Sequence, residues 1–140
     1  MKRNQVLFSV ALMVGIAVGA LGIRMLSAQD ELRSGTILQR TELAGTGHEA
    51  ILVLRELPPG AGSGKHTQSG NEIVYILEGS VILEVQGKPP VTLNAGGAFQ
   101  TQAGEVHSVT NASPTAPGKA LAFYVAKKGA SLEDLAVPAE

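Results

Sequence analysis

From Thr36 onward the chain alternates short apolar runs with clusters of turn residues. The runs are Thr36 to Leu43, Glu49 to Leu57, Glu72 to Glu78, Ser80 to Gln86, Val91 to Leu93, Ala98 to Gln102, Val106 to Thr110 and Leu121 to Ala126. Gly45 to Gly47, Pro58 to Gly64, Gly79, Gly87 to Pro90, Gly96 and Gly97, Gly104, and Ser113 to Gly118 separate nearly all of them. Short β-rich runs at regular spacing, broken by glycine and proline, predict an all-β barrel or sandwich. Ile73 to Leu77 is apolar at every position. Such a strand is expected to be covered on both faces, one by barrel interior and the other by a second sheet or a partner subunit. A domain this small gains from extra burial, so a homodimer is expected.

The two ends follow other patterns. Lys2 and Arg3 precede an apolar run from Val6 to Ile23 that only Ser9 interrupts, which predicts one N-terminal apolar helix with the layout of an export segment. Ala28 suits a cleavage point, whereas Leu26, two places before it, does not. Residues 1–28 are therefore either a signal peptide or a membrane anchor spanning residues 6–23. Both place the remainder outside the inner membrane, as a periplasmic, secreted or membrane-anchored domain. Residues 29–35 form a linker, 36–128 the barrel and 129–140 a tail. In that tail Ser131, ahead of Leu132, Glu133, Asp134 and Leu135, predicts one short capped helix.

Charge and composition narrow the function classes. The chain has 140 residues, room for one domain, and no cysteine, so disulfides and thiolate chemistry are excluded. From Gln29 onward eight Lys or Arg stand against twelve Asp or Glu, a net of −4 with no basic stripe or stacking aromatics, which argues against a nucleic-acid partner.

Candidate chemistry gathers in "GKHTQSGNE", Gly64 to Glu72. Residues two apart on a strand share a face, so His66 and Gln68 can aim at one point, and Glu72 begins the next strand after the Ser69, Gly70, Asn71 turn. A neutral imidazole with a carboxylate suits Mn, Fe, Ni or Zn. Gly60, His66, Gln68, Glu72 and Gly79 have spacing that resembles the first motif of the cupin superfamily, with Gln68 in place of the second histidine. Gly96, Gln102, Gly104, His107 and Asn111 resemble its second motif, with Gln102 in place of the usual proline. The resemblance implies a double-stranded β-helix, a jelly-roll-like barrel. It also implies that His66, Gln68, Glu72 and His107 converge on one divalent ion, with His107 reaching in from across the barrel.

Gln68 has two readings. An amide carbonyl is a weaker donor to borderline metals than imidazole, so Gln68 is a weak fourth ligand or a hydrogen-bonding neighbour. His66, Glu72 and His107 alone would still make a two-histidine, one-carboxylate set. The competing reading is a metal-free barrel whose histidines are held by hydrogen bonds, in which Glu72 needs some other partner. Three functions follow: a mononuclear metal enzyme of oxygenase, isomerase or lyase type acting on a small organic molecule, a non-catalytic small-ligand-binding barrel, or an interaction subunit. No catalytic acid or base beyond the ligands is evident. His48 reads as an exposed loop histidine and Asn111 as a turn-closing residue. Tyr75, Phe99, Phe123 and Tyr124 read as core, interface or pocket packing.

Overall fold

The computed structural model describes residues 35–130 and 135–136; the expected export segment, most of the linker and most of the tail lie outside them. Ten strands are described: β1 Thr36–Leu43, β2 His48–Leu57, β3 His66–Thr67, β4 Asn71–Glu78, β5 Ser80–Val85, β6 Val91–Asn94, β7 Ala98–Thr101, β8 His107–Asn111, β9 Gly118–Lys127 and β10 Leu135–Ala136. They form two five-stranded sheets, ordered β1-β2-β9-β4-β7 and β10-β3-β8-β5-β6, with every pairing antiparallel. This is the expected all-β double-stranded β-helix. Among the described residues no helix is long and apolar enough to cross a membrane.

Period-two alternation decides what is inside. Ile51, Val53 and Leu57 of β2, Val74 and Ile76 of β4, Val81 of β5, and Ala120, Ala122 and Tyr124 of β9 form the buried core between the sheets. Their neighbours point outward. Ile73 is 52% exposed, Tyr75 46%, Leu77 39% and Phe123 39%. The expectation that the Ile73 to Leu77 strand is covered on both faces is therefore not met within the chain. The opposing sheet covers one side of β4, while β7 and β9 flank its edges.

Three local differences from the sequence reading stand out. β3 is only two residues long, too short for a periodic signal. Leu135 lies in β10, paired to Thr67, instead of in a helix, so part of the tail closes the barrel sheet. His48 opens β2 instead of lying in the loop, and its Nδ1 meets the Thr46 carbonyl at 2.8 Å. Asn111 does close a turn: its amide nitrogen donates to the carbonyls of Leu57, Pro58 and Ala116, and its oxygen accepts from the Ser113 amide.

The turn leading into β4 is pressed against β9. A Cβ on Gly70 would lie 2.5 Å from the Val125 carbonyl oxygen and 2.8 Å from the Ala126 Cβ. Backbone cannot yield as a flexible side-chain tip can, so Gly70→Ala is expected to destabilise the fold by about 1–3 kcal/mol. Urea unfolding checks this as a lowered midpoint with an unchanged slope.

Candidate metal and ligand site

The two sheets supply different donors. His66 of β3 and His107 of β8 are direct cross-strand partners on one sheet, with ring centroids 4.2 Å apart and planes tilted by 57°. His107 thus comes from the neighbouring strand, not from across the barrel as the resemblance implied. Glu72, on β4 of the opposite sheet, is the residue that crosses the interior, its Oε2 3.9 Å from His107 Nε2. All three are buried.

Each histidine is oriented by its own backbone. His66 Nδ1 donates to the Gly64 carbonyl and His107 Nδ1 to the Glu105 carbonyl, both at 2.9 Å. A carbonyl only accepts, so each bond holds the proton on Nδ1 and leaves Nε2 as the lone-pair nitrogen of the neutral ring. That is how ligating histidines are commonly fixed.

Gln68 is placed differently. His66, Glu72 and His107 line a pocket that is partly open to solvent, but Gln68 does not. Its Nε2 donates to Thr101 Oγ1 at 2.7 Å, and Thr101 Oγ1 in turn donates to Glu72 Oε2 at 3.3 Å. The hydroxyl has one proton. Given to Glu72, it leaves Thr101 able to accept from the amide nitrogen and turns Gln68 Oε1 the other way. That buried oxygen has no hydrogen-bond partner.

Arg55 and Tyr124 are the residues that sequence reasoning missed, Arg55 entirely and Tyr124 as a polar group. Both line the pocket. Arg55 Nη2 donates to the Tyr124 hydroxyl at 2.6 Å, and the Glu72 carboxylate lies close to that hydroxyl. Burial first, and then the charge of Glu72, push the Tyr124 hydroxyl well above its ordinary value near 10, while Arg55 opposes them. Parity was the available signal: residues 51, 53, 55 and 57 share one phase of β2, so the phase that buries Ile51 and Val53 also buries Arg55. Glu72 therefore accepts from Thr101 with Tyr124 beside it, which supplies the partner that a buried carboxylate requires.

The donor types fit a divalent ion: two backbone-oriented imidazoles, a carboxylate and an orphaned carbonyl oxygen nearby. As the side chains stand, however, no group of three His, Cys, Asp or Glu among the described residues surrounds a single point closely enough to hold one. The 3.9 Å between His107 Nε2 and Glu72 Oε2 is wider than the roughly 3–3.5 Å that separates two donors bound at about 2.0–2.2 Å to one tetrahedral ion.

Comparison with known proteins agrees with this fold. Residues 53–124 match the family model described as Cupin domain. A curated protein of Thermotoga maritima, "Oxalate-binding protein", is 41% identical over 61 residues, 43% of this chain and 50% of that protein, so the match spans half its length. A Klebsiella pneumoniae structure, described as an uncharacterized conserved protein with a double-stranded β-helix domain, superposes with a TM-score of 0.55 at 19% identity. That superposition covers 69% of this chain and 78% of the other. The DMSP lyase DddQ of Ruegeria pomeroyi superposes with a TM-score of 0.50 at 24% identity, over 60% of this chain and 41% of the other. These two likenesses concern the fold.

Two outcomes test the network. Thr101→Val keeps shape but removes the hydroxyl between Gln68 and Glu72, and is expected to cost about 1–3 kcal/mol in denaturant unfolding because buried partners lose their bonds. Tyr124 holds its proton in the folded state above the pH at which an unfolded tyrosine releases it. Below pH 10 the group is protonated in both states. Above it, stability falls as pH rises, at up to about 1.4 kcal/mol per unit. Phenolate absorbance should show the Tyr124 contribution appearing only with alkaline unfolding, and Tyr124→Phe should lack that step.

Proposed function

The chain belongs to the cupin family, and from that premise we propose that it binds one divalent metal ion and a small organic molecule in the barrel pocket. His66, Glu72 and His107 hold the ion. The observation that carries this reading is that both pocket-lining imidazoles have Nδ1 bonded to a backbone carbonyl, Gly64 for His66 and Glu105 for His107, the orientation common in ligating histidines. Gln68 serves first as a hydrogen-bonding neighbour, since its amide steadies Thr101 and through it Glu72. Its orphaned oxygen is an acceptor that a cation or a donor group of the ligand would satisfy.

Binding is favoured over catalysis as the primary role. The Thermotoga maritima relative bears the name of a small-molecule binder, and Arg55, Tyr124 and Thr101 are tied into hydrogen bonds that position groups. A bound ion would supply Lewis acidity. The chain's own contribution is to orient imidazoles, hold the carboxylate and keep bulk water from an apolar wall that includes Leu57, Val74, Ile76 and Val81.

Elemental mass spectrometry on metal-loaded full-length protein should find about one Mn, Fe, Ni or Zn per chain. His66→Ala should lose it, and Gln68→His, which replaces a weak oxygen donor by imidazole, should retain it against higher chelator concentrations. No stoichiometric ion in the parent under any loading condition would end the metal reading.

A further inference from the structure

We infer that the outer face of the β1-β2-β9-β4-β7 sheet is where a second copy of this chain docks, sheet against sheet, with Phe123 at the centre of the contact. The surface lies outside the barrel pocket, so it stands whatever the pocket holds.

Strand register lays this face out in level rungs. Gln39, Leu52, Phe123, Ile73 and Gln100 stand side by side across the five strands. One rung along come Thr36, Leu54, Leu121, Tyr75 and Ala98. On β2, β4 and β9 these residues alternate with the buried Ile51, Val53, Val74, Ala122 and Tyr124, so the rungs face away from the core. In both rungs the three central strands are apolar, and the two edge strands carry amide, hydroxyl or methyl groups. A third rung, Thr41, Ala50, Val125 and Asn71, is uncharged as well. Charge begins only beyond these rungs, with Glu56, Lys119 and Glu78 at one end and Lys127 at the other. There two acids stand against two bases, and Lys119 pairs with Glu78 at 3.3 Å. The opposite sheet differs: around the half-buried Ile82 its outward positions are Ser80, Glu84, Thr92, Ser108 and Thr110, the polar face of a solvated sheet.

An apolar strip with a polar rim, and charge kept from its centre, has the anatomy of a protein interface. A copy of the same face is the partner it matches, because a two-fold contact sets apolar rungs on apolar rungs and brings no like charges together at the centre. An anionic membrane surface calls instead for a basic rim, and this rim is electrically balanced. At about 150–250 Å² for an aromatic side chain and less for an aliphatic one, the exposed parts of Ile73, Tyr75, Leu77 and Phe123 offer roughly 300–400 Å². The other rung residues bring about as much again, which reaches the roughly 800 Å² per partner of a standard specific interface. Ile73 adjoins Glu72 and Phe123 adjoins Tyr124 in the chain, so a docked partner braces from behind the strands that carry the carboxylate network.

Sedimentation equilibrium on the full-length protein should give twice the mass of one chain. Phe123→Glu sets a carboxylate at the centre of the contact and should weaken dimerisation by at least about 100-fold, while Thr92→Glu on the opposite outer face should leave it intact. The chain has no cysteine, so Gln100→Cys and Thr92→Cys each accept one nitroxide label. By dipolar spectroscopy the label at position 100 should lie nearer its twin than the label at position 92. Should Phe123→Glu fail to fold, that comparison decides. A wild-type monomer at every concentration, an equally tight dimer in Phe123→Glu, a dimer lost in Thr92→Glu, or the reverse order of label distances overturns the assignment. A monomeric wild type that sediments with phosphatidylglycerol vesicles, where Phe123→Glu does not, overturns it in favour of a lipid surface.

Discussion

An ionised carboxylate is costly inside an apolar barrel unless donors or a cation meet it, and the interior of this one is arranged around Glu72. Tyr124 and Thr101 stand beside that carboxylate, and behind them Arg55 and Gln68 hold Tyr124 and Thr101 in place. The resulting chain runs from guanidinium through phenol, carboxylate and hydroxyl to amide. Low local polarity strengthens every link while the chain is complete and makes a missing link expensive. Four neighbouring strands of one sheet contribute to it, β2, β9, β4 and β7, and Gln68, just beyond β3 of the other sheet, joins them, so the network spans both sheets.

The division of donors between sheets has a consequence for chemistry. The histidines form one rigid cross-strand pair, because both belong to the same sheet and both rings are tied to backbone carbonyls two residues earlier. The carboxylate belongs to the other sheet and is held only through side chains. The separation between His107 and Glu72 is therefore set by how the sheets pack on Ile51, Ile76 and Val81, all fully buried, and by the rotamer that Tyr124 and Thr101 allow. A strained or loosened core would be felt first as a change in that distance.

The substitution of glutamine at position 68 shifts a ligand position toward a supporting one. A histidine there would compete for the ion. The amide instead supplies a donor to Thr101, whose single proton is then committed to Glu72. What remains is one buried carbonyl oxygen without a donor, a cost of about 1–3 kcal/mol that a bound species would remove.

The sequence by itself determined eight of the ten described strands, the turns and the residues on which the two motifs rest, because period-two burial and glycine-rich turns are local properties. Parity along β2 and β9 even held the inward phase of Arg55 and Tyr124, though not that they touch. It missed β3 and β10, since two-residue strands carry no period and exist only through their partners. It could not tell that His107 pairs with His66 while Glu72 faces both from the other sheet, nor that Gln68 stops short of the pocket wall. Those outcomes depend on register between strands distant in sequence and on side-chain reach across the interior. Only the packed sheets settle them, because hydrogen-bond partners 29 to 69 residues apart, as in Thr101 with Glu72 and Arg55 with Tyr124, leave no trace in local pattern.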